Sequence, residues 1–311
     1  MKTALMRETA AELEQALNPR ALERFRARLD GPLAVVASGG SFTAAVLWAR
    51  LHETAGHPAW AMTPYSFAER TLPAGTRVAL LSVGGNHHDI LRTARLARDR
   101  GYDLRAVTGR GDSPLAREVM RHVSPDDLLV TPESRHADGL IAVHGTVVFS
   151  VLAAHLYTSA GPWAPCFDAG GVALRTSPPS FVVAFGAGPG EPAAVDFANK
   201  CQESGLAPAW HTDLRHFAHG QWMSLHADPD GLLLVAFASR SQRPYLERFA
   251  AVLPSSITLR PIVVDTDGTE AALSLLSRSM RSFETLVALG RGAPTLEDVP
   301  PWCRTLYELE P

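Results

Sequence analysis

One stretch decides the fold: Val35-Val36-Ala37-Ser38-Gly39-Gly40-Ser41-Phe42-Thr43-Ala44-Ala45 has the pattern of a buried strand, a glycine turn and the start of a helix. A second stretch, in the other half of the chain, begins in the same way: Val182-Val183-Ala184-Phe185-Gly186-Ala187-Gly188-Pro189-Gly190-Glu191-Pro192. A strand that ends in glycines at a helix N-terminus directs backbone N–H groups toward one point, where an anion or a polyhydroxyl ligand can bind. The repeat predicts one α/β unit built twice.

Strand-like and helix-like segments alternate on both sides of these turns. The strand-like apolar runs are 33–37, 59–62, 77–82, 104–108 and 127–130, then 181–185, 207–210, 231–237 and 259–264. Longer segments with helical periodicity separate them, which is typical of parallel sheets covered by helices on both faces. We therefore expect an α/β fold of two tandem, three-layer, flavodoxin-like sandwiches. The predicted divisions are an N-terminal helical segment (1–30), a first domain (31–160), a linker rich in glycine and proline (161–180), a second domain (181–292) and a C-terminal tail (293–311).

The composition is that of a globular protein and excludes several classes of function. With 46% hydrophobic and 20% charged residues, a chain of 311 residues can bury two cores. The formal net charge of −3 and the scattered arginines give no basic footprint for nucleic acid. No run reaches the ~20 apolar residues of a membrane span, so no membrane partner is expected. Three widely separated cysteines and an early charge at the N-terminus favour a reducing cytoplasm over secretion.

Three strand ends of the first half are rich in glycine and hydroxyl groups. They are Ser38-Gly39-Gly40-Ser41, Ser82-Val83-Gly84-Gly85-Asn86-His87-His88-Asp89 and Thr108-Gly109. Open parallel sheets bind ligands beyond the carboxyl ends of their strands, where N–H and O–H donors can surround a phosphate. The predicted ligand-binding residues are Gly40, Ser41, Ser82, Val83, Gly84, Gly85, His87 and Thr108.

These motifs resemble the SIS (sugar isomerase) domain. Two copies in tandem resemble the isomerase half of glucosamine-6-phosphate synthase and its fructosamine deglycase-type relatives. That family has a Gly-Thr-Ser type turn after its first strand and, after a later strand, a Ser-x-Ser-Gly-x-Thr-x-(Asp/Glu) turn that binds sugar phosphate. Ser41 matches the first motif, and Ser82, Gly85 and Asp89 match the second. The resemblance covers most of the chain and implies two SIS domains that bind a sugar or sugar phosphate.

Two positions depart from the second motif. Gly84 stands where the family has its second serine and His87 where it has threonine, so two hydroxyl donors are missing. His87 can replace one of them through a ring N–H, which gives a charge-assisted hydrogen bond when the ring is protonated. Alternatively, the ligand carries no phosphate. The sequence leaves both interpretations open.

The second half contains residues suited to proton transfer. The sequence Asp196-Phe197-Ala198-Asn199-Lys200-Cys201-Gln202-Glu203, followed by Arg215-His216-Phe217-Ala218-His219-Gly220, resembles the family's Glu-x-Ala-x-Lys-x-x-Glu helix and its Lys-His-Gly sequence. The resemblance makes Glu203 the base that moves a proton between C1 and C2 of an open-chain sugar. It makes His219 the residue that helps to open the ring at a subunit boundary, and Lys200 a supporting lysine. It also implies a homodimer, and Asp196 is expected on the helix surface or at an interface.

The same residues suit this reaction on physical grounds. Moving a proton between adjacent carbons through an enediol requires one carboxylate that reaches both carbons and a second group that serves the sugar oxygens. Histidine titrates near neutral pH and suits the second task. Lys200 and Glu203 are three residues apart on one helix face, so the ammonium can stabilise enediolate charge or tune the pKa of the carboxylate.

The C-terminal tail argues against one of the reactions of this family. In the synthases a tail lysine forms a Schiff base with the ketose, whereas residues 301–311 contain no lysine and Glu308 falls about where it would lie. A glutamine-dependent synthase is therefore not expected. Three functions remain. One is a sugar or sugar-phosphate aldose–ketose isomerase or deglycase, and another is a catalytically inactive, sugar-phosphate-binding or regulatory protein. The third, which the sequence favours least, is an assembly protein that uses the SIS fold only to dimerise.

No cofactor and no metal are expected. His211, His216 and His219 lack cysteine partners and the ligand spacing of known zinc sites. His87 and His88 are adjacent at the start of a helix and are not expected to face one metal ion together.

Overall fold

The computed structural model describes residues 3–132, 138–158, 160–226, 231–290, 292 and 294–307. These residues form two parallel sheets and fall into two compact units. What we term the first unit comprises the described residues of Glu8–Asp138, His144–Ala164 and Pro300–Pro311. The second unit comprises those of Met1–Arg7, Gly139–Val143 and Pro165–Val299.

The first unit contains a five-stranded parallel sheet in the order β2-β1-β3-β4-β5. Its strands are β1 (Leu33–Val36), β2 (Ala59–Met62), β3 (Arg77–Ser82), β4 (Asp103–Thr108) and β5 (Leu128–Val130). The helices in this part of the sequence are α1 (Met6–Ala16), α2 (Pro19–Arg26), α3 (Gly40–Thr54), α4 (Pro64–Ala68), α5 (His88–Asp99), α6 (Pro114–Met120) and α7 (His144–Tyr157).

The second unit contains a four-stranded parallel sheet in the order β7-β6-β8-β9. Its strands are β6 (Phe181–Gly186), β7 (Ala209–Thr212), β8 (Leu232–Ala238) and β9 (Leu259–Val263). The helices that follow β6 in the chain are α8 (Glu191–Glu203), α9 (Leu214–Phe217), α10 (Arg243–Val252), α11 (Gly268–Val287) and α12 (Pro301–Tyr307). Both sheets have the flavodoxin-like strand order, which reverses after the first strand. The predicted α/β class is confirmed.

The apolar runs of the sequence are strands buried on both faces. All four residues of β1 and all seven of β8 are buried. Along β6, Val182 and Ala184 join one hydrophobic cluster while Val183 and Phe185 join another. A parallel strand covered by helices on both sides needs apolar side chains at every position, which explains why the sequence shows a continuous run rather than an alternation.

Local capping fixes the helix starts that the sequence indicates. The Asn18 side chain accepts hydrogen bonds from the backbone N–H groups of Arg20 and Ala21 at 3.0 and 3.3 Å, so α2 starts at Pro19. The Ser113 hydroxyl accepts one from Ala116 N at 3.1 Å and starts α6. Both use a polar N-cap followed by proline, whose missing N–H costs nothing at the first helical position.

Most predicted strands lie within one residue of their observed ends, but the expected strand 207–210 is wrong in its bounds. Strand β7 pairs with β6 only from Ala209, opposite Val182, to Thr212, opposite Phe185. Pro208 has no N–H to donate and precedes the strand, where its carbonyl accepts a hydrogen bond from Val182 N at 3.0 Å.

The outer strand β9 also contains a proline. Pro261 stands opposite Ala236 of β8 and is exposed. Among the described helices, none combines the length and apolar character that a bilayer crossing requires.

Candidate functional site

The carboxyl ends of β1, β3 and β4 lie side by side in the first sheet. Val36 of β1 is in register with Leu80 of β3, and Ser82 at the end of β3 is in register with Thr108 at the end of β4. The turn 38–41 and the loop 82–87 therefore leave the sheet at one edge. We call the turn 38–41 the first turn, and this turn together with the loop and Thr108 the first cradle.

The first turn is an open helix start. Gly39 is the N-cap of α3 with φ 55° and ψ −141°, a conformation that favours glycine, and no atom lies within 4 Å of the position a Cβ would take. A glycine N-cap has no side chain to occupy the helix N-terminus, where backbone N–H groups favour an anion. Gly40 and Ser41 are half-buried at this position, and the Gly40 carbonyl accepts a hydrogen bond from the Thr146 hydroxyl at 3.0 Å.

Gly85 fixes the loop that follows β3. Its φ is +58°, and an added Cβ would lie 2.5 Å from the Ser113 hydroxyl oxygen, so both conformation and space require glycine. Gly85 N donates to the Ser82 hydroxyl at 3.1 Å, and Gly85 O accepts from Leu115 N at 2.9 Å. A hydroxyl that accepts one hydrogen bond retains its own proton to donate, so Ser82 can serve an oxygen ligand.

Thr108 positions the loop rather than facing outward. Its side chain is fully buried, and its hydroxyl donates to the Val83 carbonyl at 3.2 Å and accepts from Arg110 N at 3.3 Å. The Val83 carbonyl also accepts from Gly109 N at 2.9 Å, while the Val83 side chain is 43% exposed. A side chain at Gly84 would be in tight contact with Asn86, whose amide oxygen lies 3.0 Å from the position of a Cβ.

The start of α7 contributes residues to this edge that the sequence analysis did not single out. A Cβ on Gly145 would lie 2.7 Å from a methyl carbon of Val83. The Asp138 carboxylate accepts hydrogen bonds from His144 N at 2.7 Å and from Gly145 N at 2.9 Å. A glycine in the first turn of an apolar helix was the only signal in the sequence, because Val83, which Gly145 meets, lies far away along the chain.

His87, His88 and Asp89 converge at the start of α5. One ligand atom from each lies within 4.8 Å of those of the other two, and the two imidazole rings are 4.3 Å apart with 31° between their planes. The expectation that these adjacent histidines do not face one metal ion together stays a prediction, although their rings lie side by side. His87 is the extended N-cap residue (φ −67°, ψ 137°), whereas His88 already belongs to the helix, and this change of conformation brings the two rings together.

Lys200 is buried in an ion pair. Its side chain is 2% exposed, its ammonium contacts the carboxylate of Asp196, and Asp196 is 0% exposed. Ser279 of α11 donates to the Ala193 carbonyl at 3.0 Å and to the second Asp196 oxygen at 3.4 Å. The expectation that Asp196 lies on the helix surface is therefore wrong, because α11 covers this face of α8.

Glu203 is the last residue of α8, and its side chain is exposed. Its pKa is raised from the usual value, chiefly because neighbouring protein displaces water, with Lys200 lowering it and Asp196 raising it. A carboxylate at the negative end of a helix dipole is also less stable as an anion. Glu203 is thus a stronger base than an isolated glutamate.

His219 lies at the opposite edge of the same sheet. Helix α8 starts beside the carboxyl end of β6 and runs for 13 residues, about 20 Å, so Glu203 is at the amino-end edge, near Ala209. His219 follows α9 beyond the carboxyl end of β7 and is exposed, with Nε2 3.5 Å from the Arg215 guanidinium. Within one chain the structure separates Glu203 from His219.

The second glycine turn, residues 186–190, is closely packed. A Cβ on Gly186 would lie 2.3 Å from the Gly190 carbonyl oxygen, and one on Gly190 would lie 2.2 Å from that of Phe237. The Gln242 amide donates to the Ala187 carbonyl at 2.8 Å and lies over the turn. A cavity of about 330 Å³ lies beside it, with Phe185, Asp213, Arg215, Gln242 and Tyr245 among its lining residues.

No protein-family model matches the sequence, and no curated protein matches it. Solved structures do match it over nearly its whole length. Tagatose-6-phosphate ketose/aldose isomerase from Escherichia coli superposes with a TM-score of 0.69 at 16% identity, over 97% of this chain and 95% of that one. The C-terminal domain of glucosamine-fructose-6-phosphate aminotransferase from Francisella tularensis gives 0.65 at 15% identity, over 92% and 93%. Glucosamine-6-phosphate deaminase from Thermotoga maritima gives 0.64 at 14% identity, over 93% and 96%.

The chain has the SIS fold. At these identities the likeness concerns the fold, and it confirms at that level the resemblance drawn from the sequence motifs. The flavodoxin-like strand order of both sheets agrees with it.

Proposed function

We propose that this protein binds a sugar or sugar phosphate and interconverts aldose and ketose forms, or deglycates an amino sugar, through an enediol with Glu203 as the base. The observation that carries the proposal is the position and basicity of Glu203. It is exposed at the end of α8, and its pKa is raised although the buried Lys200 ammonium, three residues before it, acts to lower that pKa. A base with a pKa closer to the working pH transfers protons more effectively.

The first cradle supports the binding step. It combines the open turn at Gly39, the Ser82 hydroxyl and a helix start with no capping side chain. The solved structures with the same fold include an isomerase, an aminotransferase domain and a deaminase, each named for a sugar phosphate. Donors of this kind suit the oxygens of a phosphate or a polyol.

The proposal is tested by Glu203→Gln, with Glu247→Gln on the exposed face of α10 as the matched control. Fructose 6-phosphate and tagatose 6-phosphate are incubated in deuterated water, and exchange at C1 and C2 is followed by NMR. We expect the Glu203 variant to lose at least about a hundredfold in exchange rate, because general base catalysis contributes that much. Its melting temperature should stay within a degree or two of the parent, since an exposed substitution changes little. Exchange retained by Glu203→Gln contradicts the mechanism.

The separation of Glu203 from His219 supports a shared site in a cytoplasmic homodimer. Two groups at opposite edges of one sheet can serve one substrate when different copies of the chain supply them. Light scattering on the eluted protein should then give twice the chain mass. Mixing Glu203→Gln with His219→Asn should restore part of the activity that each variant lacks alone. A monomeric mass or failed complementation contradicts the shared site.

A second candidate function is a sugar-phosphate sensor without catalysis. The two missing hydroxyl donors at Gly84 and His87 favour it, because the loop then holds a ligand with fewer bonds than the SIS motif provides. In this case a sugar phosphate raises the melting temperature of the parent protein while no deuterium enters C2. Exchange by the parent protein excludes it.

A further inference from the structure

We propose that His87, His88 and Asp89 form an open binding site for a first-row divalent cation, with Zn²⁺ as its representative. The site lies where the loop of the first cradle enters α5. It goes beyond the proposed function, because cation binding requires neither a sugar nor the base Glu203.

The distances between the donor atoms suit one small cation. The Nε2 of His88 is 3.2 Å from Oδ1 of Asp89, and the Nδ1 of His87 is 3.6 Å from Oδ2 of the same carboxylate. Two ligands bound tetrahedrally to zinc at 2.0–2.1 Å lie about 3.3 Å apart. Both distances are within a few tenths of an ångström of that separation, but they end on different oxygens of the carboxylate. The ligand atoms of the three residues lie within 4.8 Å of one another, so binding one ion requires the rings and the carboxylate to rotate toward it.

The backbone holds these side chains in place. His87 is the N-cap residue, and in the metal-free protein its Nδ1 accepts a long hydrogen bond from Asp89 N at 3.3 Å. A cation bound at this nitrogen takes the place of that hydrogen bond, because the nitrogen has a single lone pair. The loop before it is fixed by Gly85, whose conformation and packing both exclude a side chain. The three side chains are 20%, 23% and 31% exposed, so they are ordered by their surroundings and still reachable by an ion.

The charges and donor types also favour this class of cation. Two imidazoles and one carboxylate are the ligands that Zn²⁺ and its neighbours accept, whereas Ca²⁺ and Mg²⁺ prefer oxygen alone. The Asp89 carboxylate opposes the unfavourable field of the helix N-terminus on a cation. Three protein ligands leave a fourth position for a water or a ligand oxygen.

The open position gives the cation a role in ligand binding, and this part alone rests on the proposed function. The site occupies the loop in which Gly84 and His87 replace the two hydroxyl donors of the SIS motif. A cation there supplies positive charge to a phosphate or sugar oxygen that those hydroxyls would otherwise bind.

The test uses the full chain, stripped with a chelator and titrated with Zn²⁺ by calorimetry, and with Co²⁺ by visible absorption. We expect one ion per chain at this site and tetrahedral Co²⁺ bands. His88→Ala and Asp89→Asn should each weaken binding by at least about tenfold, which is the loss seen even for residues that only support a ligand. His87→Asn, which keeps an N-cap side chain, should do the same.

His216→Ala is the matched control, because it removes an exposed histidine from the other histidine-rich segment. It should leave the affinity unchanged, and every variant should keep the melting temperature of the parent in the absence of metal. Absence of Zn²⁺ binding, equal affinity in His88→Ala, or loss of binding in His216→Ala each overturns the site.

Two further titrations separate this proposal from the isomerase proposal. Glu203→Gln should bind Zn²⁺ with parent affinity, so the loss of one property does not imply the loss of the other. Inorganic phosphate should bind the Zn²⁺-loaded protein more tightly than the stripped protein. Equal phosphate affinity overturns the ligand-binding role of the ion and leaves the cation site itself supported.

Discussion

The two glycine turns look alike in sequence but contain glycine for different reasons. Gly39 in the first turn has a positive φ and open space around it, so it keeps a helix N-terminus accessible. The second turn also has a glycine of positive φ, Gly188 at +50°. Its Gly190, however, has an ordinary φ of −81° and is glycine because the Phe237 carbonyl would touch any side chain. One turn therefore leaves room for a ligand, and the other allows two backbone segments to pack together. A repeated motif indicates repeated architecture without implying repeated function.

A buried polar cluster around His52 in the first unit differs in kind from the buried pair Asp196 and Lys200 in the second unit. In the first unit the His52 ring lies 2.7 Å from the Tyr157 hydroxyl through Nδ1 and 2.7 Å from the Gly31 carbonyl through Nε2, and Trp48 Nε1 donates to the same hydroxyl at 2.9 Å. In the second unit the charged pair Asp196 and Lys200 is buried. The first unit also buries an ion pair, between Arg105 and Asp127, apart from the neutral cluster. A neutral cluster and an ion pair respond differently to substitution and to pH.

The largest expected effect is at Lys200. Lys200→Met leaves the Asp196 carboxylate buried without its cation, which should lower the free energy of unfolding by about 3–5 kcal/mol. Urea denaturation measures the change. The double variant Asp196→Asn, Lys200→Gln removes both charges and should regain most of the loss. If the double variant is as unstable as the single one, the ion pair is not the cause.

The second largest effect is expected at Gly190. Gly190→Ala places a Cβ 2.2 Å from a backbone carbonyl oxygen that cannot rotate away, which should cost about 3 kcal/mol. Because the obstacle is steric, Gly190→Leu should cost more than Gly190→Ala. Equal losses for the two side chains would show that packing does not explain this glycine.

A smaller effect is expected at Gly39, with a different dependence on size. Gly39→Ala forces a side chain into a conformation reserved for glycine, at a cost of about 1–3 kcal/mol. Since nothing lies within 4 Å of the Cβ position, Gly39→Leu should cost the same as Gly39→Ala in thermal or urea unfolding. A steep dependence on side-chain size at Gly39 would remove the contrast between the two turns.

The smallest effect concerns the pH dependence of the neutral cluster. The pKa of His52 is lowered, chiefly by burial, with the Gly31 carbonyl opposing the shift and His57 adding to it. The unfolded chain therefore takes up a proton at a higher pH than the folded one, so stability is full above pH ~6.5 and falls as the pH drops toward the folded pKa. For one proton the slope cannot exceed about 1.4 kcal/mol per pH unit.

His52→Gln should flatten this part of the curve. The comparison is made by urea denaturation between pH 5 and 8, with His122→Gln, an exposed histidine, as the control. An identical pH dependence in the parent and in His52→Gln would show that the cluster does not set it.

The fold could be predicted from the sequence because its signals are local. Parallel strands buried on both faces appear as apolar runs, and the Asn18 and Ser113 caps mark helix starts by residue type alone. The loop 82–87 and the first turn could be placed for a related reason, since ligand sites follow the ends of parallel strands.

The features that could not be predicted from the sequence depend on contacts between distant residues or on the local backbone conformation. The burial of Asp196 comes from α11, where Ser279 lies 83 residues away in sequence. The closeness of His87 and His88 comes from a change of backbone conformation between neighbouring residues, which residue type does not indicate. Thr108 is of a residue type that often binds ligands. Its hydroxyl instead donates a hydrogen bond to the loop after β3, because the register of β3 and β4 places it there.

Pro261 makes the outer strand of the second sheet a poor partner for a further strand. It occupies the middle of the outer strand β9 and is exposed. Because proline has no N–H, it cannot donate a hydrogen bond to a carbonyl of a further strand. At high protein concentration exposed edge strands meet, and an edge strand with unpaired backbone groups promotes aggregation. Replacing Pro261 by a residue with a backbone N–H would add a hydrogen-bond donor to this outer strand, so the proline ring protects the sheet against edge-to-edge association between chains.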